Sequence, residues 1–319
     1  GKPKMKKKNY FFRIISWLSQ EGPNSSKHLS WYHPLAVFIL HYLLNTVIIT
    51  VLHDSFFIHL YPSGQENPSS EISEIQFRAS IFLGFYLCSL ILWRLVVEYN
   101  TNGPIYQKSV CYEATWLCNM TLFMGCYGLY TGRVLIAMAH VIAVSVDQLL
   151  WYVDLIGWSL SGFKNFPIGV AKYITWPNAT FLTRMTCTHH LWTIPLLIYA
   201  CDGITLVSYP FSAMIVVLNV LLSRFLIPLK ISINWKDHPR NISNKHQSET
   251  HAGDCKYLNV NLSHELWKDI KFSFLAINDD SPPCSVYLFR LLWRWQLFNG
   301  IIFFIFLLPI DKYLFQGDY

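Results

Sequence analysis

The chain has 319 residues, of which 53% are hydrophobic and only 14% charged, with a formal net charge of +6. A soluble domain carries about 25% charged residues, so an ordinary water-soluble globule is excluded. Disordered, collagen-like and small disulfide-scaffold classes are excluded on the same grounds. Aromatic residues reach 16%, which suits the headgroup level of a bilayer. So apolar a chain argues against a nucleic-acid partner despite its positive charge.

The first 34 residues form a basic arm that opens GKPKMKKK, with five lysines in eight residues. By the positive-inside rule this end is expected in the cytosol. A spanning helix needs about 20 mostly apolar residues. Seven stretches qualify, at 35–59, 79–98, 109–130, 134–158, 182–200, 204–229 and 285–310. The pattern predicts an all-α polytopic membrane bundle of about seven transmembrane helices. Residues 35–229 form a six-span core, and 284–319 hold the seventh span and a short tail.

Between the first two spans, Glu66, Glu71 and Glu74 stand without Lys or Arg over 60–77, so this loop is expected on the far side. The piece 166–181 has two prolines and a lysine and reads as interfacial or re-entrant. The segment 230–283 balances seven basic against seven acidic residues and is expected in the cytosol. Its residues near 262–275 are amphipathic, with Leu262, Leu266, Ile270 and Phe274 at i+4 and Ser263 as a cap. They predict a short helix on the membrane face. The histidines of this segment, His238, His246, His251 and His264, match no zinc spacing.

Eight cysteines occur with no CxxC. Those inside apolar runs, Cys118 and Cys187 among them, read as small buried residues.

Ionisable groups at membrane depth are costly and point to function. Arg94 and Glu98 close the second span, and Glu113 opens the third. His189 and His190 lie roughly 10 Å inside the fifth. Arg290 and Arg294 are i, i+4 in the seventh, where guanidinium forks suit a phosphate or carboxylate. His140, Asp147 and Asp154 recur every seven residues in the fourth span. Seven residues return to nearly the same helix face, so these three predict one polar stripe. With the expected topology, most of this charge gathers in the cytosolic leaflet and predicts a single cavity. His189 or His190 would be the base, since imidazole titrates near neutrality. Adjacent helical positions point 100° apart, so one of the pair is expected at the site and the other against a neighbour. Asp147 and Asp154 would orient the base, while Arg290, Arg294, Arg94 and Glu113 would bind substrate. Thr121 would be a nucleophile if a base approaches it. No cofactor is demanded. A zinc site assembled across helices would draw on His140, Asp147, Asp154 and His189.

The run around His189–His190, with Pro195 and Leu196–Tyr199 after it and Pro177–Asn178 before it, joins Trp116–Leu117–Cys118–Asn119 in a further pattern. Over these residues the chain resembles the transmembrane-protein-164 family and the related androgen-induced membrane hydrolases. The resemblance implies a compact multi-span enzyme that cleaves or transfers fatty acyl groups with a Cys or Thr and a His. Where the family has Asn-Pro-Cys-His, this chain reads Asn119-Met120-Thr121-Leu122, which puts Thr121 in the nucleophile's place.

The expected function is therefore a lipid hydrolase or transferase in an endomembrane such as the endoplasmic reticulum, with membrane lipids as its partners. Two rivals stand beside it. One is a transporter, channel or receptor-like bundle using the His140–Asp147–Asp154 stripe as an ion or proton path. The other is a structural subunit of a membrane complex.

Overall fold

The computed structural model describes residues 33–60, 72–102, 104–176, 179–232, 255–264 and 284–315. The lysine-rich arm, Glu66, Glu71, His238, His246, His251 and the amphipathic stretch from 265 onward lie outside these residues, as does the Glu98 side chain.

The chain is helical. In order come α1 (His33–Leu52), α2 (Glu74–Asn102), α3 (Pro104–Glu113), α4 (Leu117–Tyr130) and α5 (Val134–Leu160). Next are α6 (Phe181–Thr186), α7 (His189–Ala200), α8 (Ser208–Leu226), α9 (Cys284–Ile302) and α10 (Leu308–Phe315). One π turn, His53–Phe57, extends α1, and a second, Phe303–Leu307, joins α9 to α10. Strands β1 (Lys230–Ser232) and β2 (Cys255–Tyr257) pair antiparallel, with Ile231 opposite Lys256.

Five helical stretches among the described residues are long and apolar enough to cross a membrane: His33–Leu60, Glu74–Val97, Val134–Leu160, Ser208–Leu226 and Ser285–Tyr313. Their outward faces are apolar. Leu35, Ile39, Leu43, Val47 and Val51 run down α1, and Phe289, Trp293, Leu297 and Ile301 down α9, all exposed. Exposed apolar surface of this extent marks a lipid-facing belt. The chain is built as an integral membrane protein.

The hub is α5, which packs against α4, α7, α8 and α9. Leu135–Val144 are all buried. A helix that is apolar all round belongs at the centre of a bundle. At one end Arg133 donates two hydrogen bonds of 3.0 Å to the Asp54 carboxylate, and the Ile204 amide donates to Asp311 at 2.7 Å. At the other end lies the ribbon, where Tyr287 Oη donates to the Leu262 carbonyl at 2.6 Å.

Two of the seven expected spans are broken. The 109–130 stretch divides at Ala114–Trp116, between α3 and α4. Thr115 Oγ1 turns back to the Tyr112 carbonyl at 2.6 Å, and Trp116 is extended, with ψ 143°. The restart of α4 is capped from far along the chain, as the Leu117 amide donates to Asn261 Oδ1 at 2.7 Å. Asn261 Nδ2 donates in turn to Thr115 O and Ser223 Oγ. Its φ of 55° is left-handed, a conformation asparagine adopts more readily than most residues. The 182–200 stretch divides at Cys187–Thr188. Thr186 Oγ1 and Thr188 Oγ1 donate to the carbonyls three residues back, at 2.9 and 2.7 Å. Such local bonds compete with the helix ladder.

His264 fastens the ribbon end. One ring nitrogen meets the Ile227 carbonyl at 2.8 Å, and the other meets Arg224 Nη1 at 2.6 Å. Burial first, and the Arg224 charge second, push its pKa down to about 4. The unfolded value is about 6.5. The unfolded chain therefore binds the proton more readily, so the stability His264 contributes is complete above about pH 6.5 and is lost as pH falls toward 4. Hydrogen exchange of the 255–264 amides, corrected for intrinsic rate, should accelerate between pH 7 and pH 5. The same comparison in His264→Asn should show no such acceleration.

Candidate functional site

Four helices meet where α4 and α7 begin. Cys118 is the second residue of α4, and His189 and His190 open α7. One donor atom from each of these three side chains lies within 4.8 Å of the other two. Both histidines are buried, at 1% and 8% exposure. Their rings sit 4.2 Å apart, centre to centre.

The break explains why both face one place. His189 sits at the first turn of α7, and its Nδ1 reaches back to the Thr186 carbonyl at 2.7 Å. The Thr186 carbonyl accepts a hydrogen there, so Nδ1 carries the proton and Nε2 holds the free lone pair. That Nε2 is buried with no hydrogen-bond partner. His190 is held from α5. Its Nδ1 lies 2.9 Å from the Gln148 amide nitrogen, and the Trp151 ring stacks on it at 5.2 Å. From α2, Tyr86 packs edge-on against His189, while its hydroxyl donates to the Thr186 carbonyl at 3.2 Å. Arg94 Nε donates to Thr186 Oγ1 at 3.4 Å, and its Nη2 reaches Cys187 Sγ at 3.7 Å. Arg94 thus sets its guanidinium beside the break that precedes His189 and His190.

The expected stripe on α5 is not one site. Asp147 is half-buried beside Gln148 on α5 and is not among the residues whose donor atoms converge with Cys118, His189 and His190. His140 turns Nδ1 to the Ile136 carbonyl at 2.8 Å, within its own helix. Asp154 is structural. Its oxygens accept from the amides of Ile168, Gly169 and Ala171 at 2.7 to 3.0 Å. That satisfies the carboxylate, so Asp154 neither orients a histidine nor ligates a metal. It pins the 168–171 loop, whose Ile168, Val170 and Ala171 pack with Trp151 and Cys187.

Thr121 is also corrected. Its hydroxyl donates to the Leu117 carbonyl at 2.9 Å inside α4, and Cys118, one turn earlier, is the α4 side chain that faces the histidines. Glu113 ends α3, where Ser109 Oγ donates to its carboxylate at 3.3 Å. Arg290 and Arg294 are half-buried on α9, which packs on α5 through Trp295 and Asn299. Among the described residues, no hydrogen bond joins either arginine to Cys118, His189 or His190. The four residues named for zinc do not converge. The set of described residues whose donor atoms could hold a metal is Cys118, His189 and His190.

Sequence reasoning missed Cys118, Gln148 and Trp151. The available signal was the place of Gln148 and Trp151, one residue and one turn after Asp147 on α5; nothing around Cys118 marked it.

Fold and cluster together define a helical integral membrane protein with a buried Cys/His cluster where two broken helices begin. Comparison with protein-family models, curated proteins and solved structures finds no match.

Proposed function

We propose that the chain is a seven-pass membrane enzyme that hydrolyses or transfers a lipid acyl or headgroup ester at the Cys118–His189–His190 cluster. The observation that supports this reading is the convergence of a thiol and two imidazoles inside an apolar bundle. Packing alone has no use for it, since buried polar groups without partners are costly. Arg94 and the starts of α4 and α7 add positive potential, which favours the oxyanion that develops in ester cleavage. The lipid-facing belt brings membrane lipids to the protein as substrate. In this reading α4 and α7 complete the passes begun by α3 and α6, and the ribbon end faces the cytosol with the lysine-rich arm.

The test is turnover by pure protein in vesicles of mixed phospholipid, read as released fatty acid or headgroup. His189→Ala and His190→Ala should each lower the rate at least about 100-fold, as loss of a proton-transfer group does, with the melting transition retained. Unchanged turnover in both variants would overturn the reading. The stripe on α5 divides into three separate environments, so nothing favours an ion path along it.

A further inference from the structure

We infer that Cys118, His189 and His190 bind one zinc-class divalent cation, with a fourth coordination position left open. The inference deepens the proposed lipid chemistry and rests on it for the role of the ion. The binding itself stands on four observations.

The first is geometry. Three donor atoms lie within 4.8 Å of one another. Zinc holds imidazole nitrogen at about 2.0–2.1 Å and thiolate sulfur at about 2.3 Å in tetrahedral sites. Ligand atoms around it are therefore about 3.3–3.7 Å apart, so the ion needs only a modest contraction of the cluster.

The second is tautomer. A metal-binding histidine almost always donates its other ring N–H to a carbonyl or carboxylate. His189 does so, from Nδ1 to the Thr186 carbonyl. Its Nε2 is the buried nitrogen left without a partner.

The third is Gln148. Its amide nitrogen faces His190 Nδ1, while its Oε1 is buried without a partner. A half-turn of the amide presents that oxygen to an Nδ1–H and leaves His190 Nε2 free for the ion. Gln148 is then a positioning residue, acting through His190.

The fourth is donor chemistry. A thiolate with two imidazoles selects zinc over magnesium or calcium. Binding takes the Cys118 proton, which leaves to solvent, so one proton is released for each ion bound. Three protein ligands with one open position is the arrangement of catalytic rather than structural zinc.

The experiment uses the full chain in lipid nanodiscs. After chelator treatment it is titrated with zinc and separately with cobalt. Bound metal is counted by mass spectrometry, and cobalt spectra report thiolate ligation. We expect one ion per chain, a thiolate-to-cobalt charge-transfer band, and a rise in melting temperature with zinc. Cys118→Ser should lose the band, and His189→Ala and His190→Ala should lose stoichiometric binding. Gln148→Leu should weaken binding about 10- to 100-fold, as loss of an outer hydrogen-bond partner does, while keeping the band. Absence of stoichiometric metal in the wild type overturns the inference, and so does equal binding by the three ligand variants. Metal bound without lipid turnover overturns the proposed function alone. Turnover that needs Cys118 but survives full metal removal overturns the ion's role in the chemistry alone and leaves the thiol as nucleophile.

Discussion

Asp154→Ala should be the most damaging single substitution outside the cluster, lowering stability by about 3–5 kcal/mol, the range for breaking a buried charged network by removing one partner. The carboxylate accepts from Ile168, Gly169 and Ala171 in one turn of chain. Each amide stranded in the interior costs about 1–3 kcal/mol, and partial relaxation of the loop keeps the total below their sum. Asp154→Asn keeps one acceptor oxygen and should lose less. A melting curve of the purified protein in detergent reads the cost. Limited proteolysis between 164 and 180 reads release of the loop. Because this loop packs with Trp151, which stacks on His190, turnover should fall with it. A melting point within a degree of wild type in Asp154→Ala would show that the loop is held by something else.

Gly125→Val should cost about 1–3 kcal/mol, the range for overpacking a filled interior. A Cβ at Gly125 would meet the Leu197 methyls at 3.0 and 3.3 Å, and Leu197 is wholly buried. Gly125 lets α4 approach α7, and these are the helices that carry Cys118 and the two histidines. The added methyls should therefore spread the cluster and reduce lipid turnover more than they reduce stability. Leu197→Ala in the same chain makes room and should restore part of both. A double-mutant cycle measures this coupling, which should reach at least about 0.5 kcal/mol between residues in contact. Strict additivity would mean that the two helices are not limited by this contact.

The long helices were legible because each is a single apolar run. The breaks were not legible. Thr115-Trp116 and Thr186-Cys187-Thr188 contain no proline or glycine, the usual punctuation. The Asn261 bond that caps α4 comes from 144 residues along the chain, and no local window holds both partners. The seven-residue spacing on α5 led to one polar stripe, and the three residues meet different partners. Asp154 is satisfied by amides 14 to 17 residues later, once the loop folds back. The histidine pair was expected to divide between site and packing. The helix start at His189 removes the constraint behind that expectation, because a first-turn side chain is free to bend back over the break. Cys118 was hidden by its company, a small residue among apolar ones.

The brevity of α4 and α7 bears on how the protein is made. At 14 and 12 residues they are about 21 and 18 Å long, against a hydrocarbon core of about 30 Å. Each long helix can partition into the bilayer on its own as it leaves the ribosome. The two short ones cannot, and they must enter against surfaces that α2 and α5 already provide. Asn261 follows α8 in the chain, so the cap on α4 arrives only after the rest of the pocket wall has been synthesised. Cys118 and the two histidines are therefore brought together late, and a nascent chain stalled before residue 261 carries the thiol and both imidazoles without the cap that seats the thiol's helix.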